Sequence, residues 1–410
     1  MEVVRTMLLG VGKSIITPPL GTPLAGFAHR QNQGATEVLD DLEVWAFWLQ
    51  DEKSEQGAIV IVTADIIGFG NSLTTELRRA VQSQFGLLPE RLLLAASHTH
   101  SGPQTCENMM ETGDLIPKVV AMVRERILEA VAESQQNIRQ VEVFAGKGRC
   151  EGYAVNRRLV RNGKVLFAPN PDGVRDDEVT VIALCDAKNG DVIAALFHFT
   201  CHPTVMGDLR ITTDYPGAAR RFVEQSLNCA AGFLPGCFGD VRPNCTFIGG
   251  TKFRRGEPED VKIFGEALGQ EVVRIIQNEL VKVNPSLSAK TVKVDLPFAR
   301  LPDGSLPEPL SLPLTIQRID IAREISFIAM SGEICCDYGL FIKRFDPDRF
   351  LVPMGYSNGV VGYICPSRYF EEGGYEPFDS AKFFGLPAPF SPEIEELIKE
   401  AVRKLLSGRG

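Results

Sequence analysis

Four short runs constrain this chain most: Ala58–Ile66 (AIVIVTADI), Leu92–His100 (LLLAASHTH), Glu178–Cys185 (EVTVIALC) and Ile325–Ser331 (ISFIAMS). Each is nearly continuously apolar, as expected of strands buried on both faces rather than strands with one face in water. Such strands need covering layers. Amphipathic helices that could supply them are predicted over Thr74–Phe85, Ile116–Glu133, Ala218–Leu227, Val261–Leu280 and Pro392–Leu406, the last with Ser391 as N-cap and Pro392 in its first turn. Asn189-Gly190 separates two apolar runs and predicts a hairpin. The expected fold class is α/β: a large mixed β-sheet core flanked by α-helices. The Pro-rich stretch Leu301–Pro313 interrupts this pattern and reads as a surface excursion. The whole span 1–410 is then expected to be one catalytic unit.

Composition excludes several classes. With 44% hydrophobic and 23% charged residues in 410, and no internal repeat, the chain is not disordered, fibrous, coiled-coil or solenoidal. A formal charge of −9 without a long basic run argues against nucleic acid or an anionic membrane as partner. No segment approaches the ~20 apolar residues of a transmembrane helix, and the N-terminal MEVVRTMLLGVGKS lacks an apolar run of signal-peptide length. Ten scattered cysteines contain no Cys-x-x-Cys pair and sit in apolar surroundings, as buried thiols in a reducing compartment would. The expected localisation is therefore cytoplasmic. Oligomeric state, a homo-oligomer included, is left open.

Chemistry concentrates on the few histidines, five in all. His98 and His100 close one apolar run, where spacing of two on an extended chain would put both imidazoles on one face. His202 closes another (AALFHFTCHPT), and Glu333 a third (ISFIAMSGE). Two imidazoles and one carboxylate at strand ends form a catalytic zinc set with a position left open for water. His198, inside an FHF alternation, and His29, in a polar loop, read more simply as hydrogen-bonded structural residues. Gly10-Val11-Gly12-Lys13-Ser14 imitates the end of a phosphate-binding loop. However, the glycine needed five residues before Gly12 is Met7, and Pro18-Pro19 stand where a helix should begin. The acidic run Asp176-Asp177-Glu178 reads as a solvated turn.

Four stretches resemble the neutral (non-lysosomal) ceramidases, which are zinc-dependent amidases. They are GKSIITPPLGTPLAGF (Gly12–Phe27); SHTHSGP (Ser97–Pro103); HPTVM through DYPG to GDVRPN (His202–Asn244); and SGE followed by NGVVGYICPSRYFEEGGYE (Ser331–Glu376). They occur in the family's order across most of the chain, and the span would end where the catalytic domain ends, before an immunoglobulin-like domain. The resemblance implies His98, His202, Glu333 and Tyr363 as Zn²⁺ ligands, with His100 beside the metal as a proton-handling residue. It also implies Arg157, of the Asn156-Arg157 pair, near the substrate carbonyl and Tyr375 as a second tyrosine at the site. Within GDVRPN, Arg242 stands where the family carries a serine regarded as catalytically essential. A permanently charged guanidinium cannot act as a hydroxyl nucleophile or relay, and it favours an anionic group on the substrate. With Asn244, Arg242 is expected to bind a small soluble amide rather than ceramide. An ester or lactone substrate, or a binding protein that has lost catalysis, are the alternatives. A thiol hydrolase using Cys201 is disfavoured, because neighbours on an extended chain point to opposite faces and Cys201 could not readily pair with His202.

Overall fold

The computed structural model of the protein describes residues 7–51, 57–247 and 249–408. The first six residues of the N-terminal segment read above lie outside them. The main sheet is built from β1 (Met7–Ile15), β2 (Glu43–Gln50), β3 (Ile59–Ala64), β4 (Leu92–Ala96), β5 (Arg139–Arg149), β6 (Glu178–Asp186), β7 (Val192–Phe199) and β8 (Ala230–Pro235). Its order is β8-β7-β6-β5-β1-β2-β3-β4, parallel at the two ends (β8 with β7, β3 with β4) and antiparallel between. The mixed sheet expected from the sequence is thus present, and Asn189-Gly190 turns the β6–β7 hairpin, with Gly190 at φ +80°.

The residue alternation along each strand feeds two different cores. One set, with Val44, Ala46, Val60, Val62 and Leu94, packs against helices α1 (Asn71–Phe85) and α2 (Pro117–Gln136). At the other end of the sheet, Val181, Ala183, Ala195 and Phe197 pack against α3 (Asp214–Leu227) and α4 (Pro258–Asn278). The opposite set, with Phe47, Ile61, Leu93, Ile182 and Leu196, meets a second sheet through its Ile319, Phe327 and Val352. That sheet runs β9 (Pro285–Pro297), β10 (Ser311–Ala322), β11 (Ile325–Met330) and β12 (Phe350–Met354). Its far face is covered by α5 (Ile394–Ser407) through Ile394, Ile398 and Val402. The architecture is therefore helices, sheet, sheet, helix. The facing layer of β-structure is the part the sequence reading did not resolve, since an apolar run does not reveal whether a helix or another sheet covers it.

Several local readings are corrected. The run Leu92–His100 is a strand only to Ala96, after which His98 adopts a left-handed φ of +66°. The last helix begins at Ile394, not Pro392, because Ser391 and Pro392 form a turn closed by the Ile394 N–H on the Ser391 carbonyl. Asp176 and Asp177 are buried, and Asp176 and Glu178 receive the Lys343 ammonium at 2.6 and 2.9 Å. The Leu301–Pro313 stretch spans most of the loop of the β9–β10 hairpin. Gly10 and Gly12 lie within β1, where a Cβ would fall 1.7 Å from the Ser134 carbonyl oxygen and 2.0 Å from that of Ala130. Those glycines let α2 lie directly on β1. Among the described residues, no helix is long and apolar enough to cross a membrane.

The main sheet curls so that its two end strands, β8 and β4, come into contact. The segment after β12 bridges them: Gly355 N–H donates to Gly236 O, and Ala96 N–H to Tyr356 O. The loops leaving β4, β7 and β11 consequently meet at one point.

Candidate active site

At that point stand His98, His202 and Glu333, all buried. His98 Nε2 is 3.7 Å from Glu333 Oε2, and His202 Nε2 is 3.3 Å from the same oxygen. The ring orientations are fixed from behind: His98 Nδ1 lies 2.5 Å from Ile67 O, and His202 Nδ1 2.6 Å from Phe238 O. A carbonyl can only accept, so each Nδ1 carries the proton and each Nε2 presents a lone pair to the shared point. His202 Nε2 has no hydrogen-bond partner. The Tyr356 ring packs 4.1 Å from His98, and its hydroxyl donates to Glu333 Oε2 at 3.4 Å. Tyr215, of the DYPG stretch, donates its hydroxyl to the Cys201 carbonyl and so steadies the residue before His202.

His100 joins the group, with Nε2 3.2 Å from His98 Nε2 and Nδ1 unpartnered. The ligand atoms of His98, His100 and His202 all lie within 4.8 Å of one another. Convergence comes from the left-handed turn at His98 rather than from an extended spacing of two. Burial pushes the His98 imidazole down to about 4, partly offset by Glu333. Burial, then the Arg157 charge, hold His202 well below its usual value. Burial and the two neighbouring imidazoles do the same to His100. Neutral imidazoles with aimed lone pairs, a carboxylate and an orphaned Nε2 make a donor set that fits a divalent cation.

Arg157 is not on the surface. Its Nε donates to Glu376 Oε1 at 2.8 Å and its Nη2 to Tyr363 Oη at 3.0 Å. Glu376 also takes Arg158 Nη1 at 2.5 Å, so one buried carboxylate orients two arginines. Burial raises the Tyr363 hydroxyl well above its usual range despite Arg157, which keeps it protonated. Tyr375 sits 5.6 Å from Tyr363, ring to ring. Burial likewise pushes its hydroxyl up.

These groups form the wall of a cavity of about 540 Å³ whose lining includes His100, Arg157, Arg242, Tyr363, Tyr375, Phe27, Phe167 and Phe383. His29 lines it too, with Nε2 2.9 Å from Gly207 O. Arg242 projects from the strand Val241–Pro243 and packs its guanidinium 4.3 Å from the Phe253 ring. Burial and the Arg157 charge pull it down to about 10, which leaves it charged at neutral pH. Asn244 is not brought to the cavity. The chain leaves the strand at Pro243, and the exposed Asn244 amide donates to Gly152 O at 3.1 Å. His198 is buried away from the site, with Nε2 2.9 Å from Pro353 O. The sequence reading missed Tyr356, Glu376 and Gly26. The last two lie in quoted stretches but acquire a role only from partners far along the chain.

The family model for "neutral/alkaline non-lysosomal ceramidase, N-terminal" matches residues 7–258, more than half of the chain. The chain belongs to this ceramidase family. Among curated relatives, the neutral ceramidase of Drosophila pseudoobscura pseudoobscura is 22% identical over 338 residues, covering 72% of this chain and 47% of the relative. That of Pseudomonas aeruginosa is 26% identical over 313 residues, covering 72% and 45%. The chain thus spans about half the length of these ceramidases. In three dimensions it superposes on the crystal structure of neutral ceramidase from Pseudomonas aeruginosa with a TM-score of 0.81 at 18% identity, covering 98% of this chain and 74% of that one. A ceramidase complexed with C2 gives 0.80 at the same identity. The ceramidase fold therefore extends well beyond the 7–258 match, into the strands that carry Glu333 and Tyr363.

Proposed function

We propose that this ceramidase-family chain is a zinc-dependent hydrolase that cleaves a carbon–nitrogen amide bond with activated water, on a small soluble substrate. The observation that carries the proposal is the convergence of His98, His202 and Glu333 from three remote segments, with His202 Nε2 left unpartnered in a buried site. His98, His202 and Glu333 would hold the ion, with Tyr363 beside them. When bound, zinc supplies Lewis acidity that ionises water near neutral pH and draws charge from a carbonyl oxygen.

The chain's own residues supply the rest. Ile67 O and Phe238 O hold the two imidazoles in the tautomer that leaves Nε2 free. Glu376 fixes Arg157, whose position beside Tyr363 on the cavity wall suits it to meet negative charge developing on the amide oxygen. The Tyr375 hydroxyl, which keeps its proton, is a further donor on the same wall. His100 lines the cavity with one nitrogen unpartnered, and can take a proton from water and return it to the departing amine nitrogen. A volume of about 540 Å³ suits a small molecule.

Stripping the protein with chelator and restoring it with Zn²⁺ tests this reading. The expected result is one bound zinc per chain, loss of amide hydrolysis on stripping and recovery on reloading, with His202→Ala unable to retain the ion. Purified protein that binds no zinc, or that turns over amides equally after stripping, would overturn it. Esters matched to the amides in acyl group decide which bond is preferred.

A further inference from the structure

Two arginines, Arg157 and Arg242, line the cavity of the proposed hydrolase site, and their partners differ. Among the described residues, no carboxylate lies within ion-pair distance of Arg242, whose Nε has no hydrogen-bond partner. Its hydrogen bond among the described residues is a long one, Nη2 to Thr204 O at 3.5 Å. Asp240, two residues away, is occupied by Tyr369, Asn156 and the Cys336 N–H. The other arginines here are satisfied. Arg157 pairs with Glu376, and Arg30 donates to the carbonyls of Ala25, His100 and Asp208. Asp379 lines the cavity, but it is exposed and makes no ion pair with Arg242.

Desolvating an unpaired cation is costly, and stacking on Phe253 at 4.3 Å and near Phe167 at 5.6 Å offsets only part of that cost. The guanidinium nevertheless opens onto the cavity. Beside the half-buried guanidinium, the buried Thr204 hydroxyl, which lines the same cavity and has no hydrogen-bond partner among the described residues, adds a second donor. A planar guanidinium edge with a neighbouring hydroxyl matches a carboxylate better than a neutral or cationic group.

We infer that the substrate is an amide bearing a carboxylate, of the N-acyl amino acid type, with Arg242 and Thr204 binding that carboxylate while the amide lies toward His100 and Arg157. Arg242 is thus a specificity-determining residue. The apolar wall of Phe27 and Phe383 accommodates the acyl half. This inference rests on the amidase reading for its reaction, but not for its binding.

The test compares release of hexanoate from N-hexanoylglycine and from N-hexanoylglycinamide, in which a neutral carboxamide of similar shape replaces the carboxylate, on the zinc-loaded wild type, Arg242→Gln and Arg242→Lys. The ratio of kcat/KM for acid over amide should be about 10–100 in the wild type, near one in Arg242→Gln and intermediate in Arg242→Lys. A wild-type ratio near one, or a ratio that survives in a folded Arg242→Gln, overturns the inference while leaving the hydrolase intact. If neither compound is hydrolysed, the amidase reading has failed, and calorimetric titration of the same pair decides this one. Tighter binding of the acid that is lost in Arg242→Gln supports it, and equal binding of the two overturns it.

Discussion

At the scale of single residues, the site works because close approaches are enforced by what is absent as much as by what is present. Gly26 has φ +92°, and a Cβ there would fall 2.2 Å from His100 Nδ1. Gly26→Ala must therefore swing the imidazole or move the loop, either of which displaces the proposed proton carrier by about an ångström. The expected outcome is a fall in kcat of about 100-fold with zinc content unchanged, read by steady-state kinetics beside metal analysis. Undiminished kcat would remove His100 from the proton path. Gly26 lies in the LAGF stretch quoted from the sequence, but nothing local marks it as the floor beneath a histidine 74 residues on. The histidines differ. Their types and their places near strand ends were readable, although the left-handed backbone at His98 was not.

At the scale of elements, the apolar runs and amphipathic helices were legible because each obeys a local period. Their ends were less so, since caps and turns depend on one or two residues. The β1–α2 contact shows what glycine does here. Gly12→Ala would place a methyl 2.0 Å from the Ala130 carbonyl oxygen, and a backbone atom cannot rotate aside. The helix must lift from the strand, with an expected loss of about 3 kcal/mol in urea unfolding. A loss below about 0.5 kcal/mol would mean the contact is looser than described. The apparent phosphate-loop pattern is thus a packing device: the same small residues serve either purpose, and sequence separates them only through the missing glycine and the prolines.

At the scale of the whole molecule, the helix Cys336–Lys343, which follows Glu333 in the chain, is tied to the main sheet by Lys343, which meets Asp176 and Glu178 at the start of β6. Burial pushes both carboxyls up, but the Lys343 charge and hydrogen bonds overcome it and hold them below their usual range. Burial pulls Lys343 down, and the two acids more than restore it. The carboxylates' share of stability is therefore present above about pH 4–5 and lost as pH falls through their depressed values. The lysine's share holds below about pH 10 and is lost as pH rises beyond it. Lys343→Met strands the buried Asp176 carboxylate, while the half-buried Glu178 keeps Lys147 at 3.9 Å, and should cost about 3 kcal/mol at pH 7. Its unfolding free energy should also fall less steeply than the wild type's between pH 5 and 3. An unchanged slope would show that the acids find other partners. By itself the sequence determined the kinds of element and the residue types able to bind a cation, because periodicity and side-chain chemistry are local. Only the tertiary structure decided that a second sheet faces the first and that curling brings β4 to β8. It alone made His98 and His202 neighbours and left Arg242 without a carboxylate partner among the described residues, since each depends on packing between segments far apart in the chain.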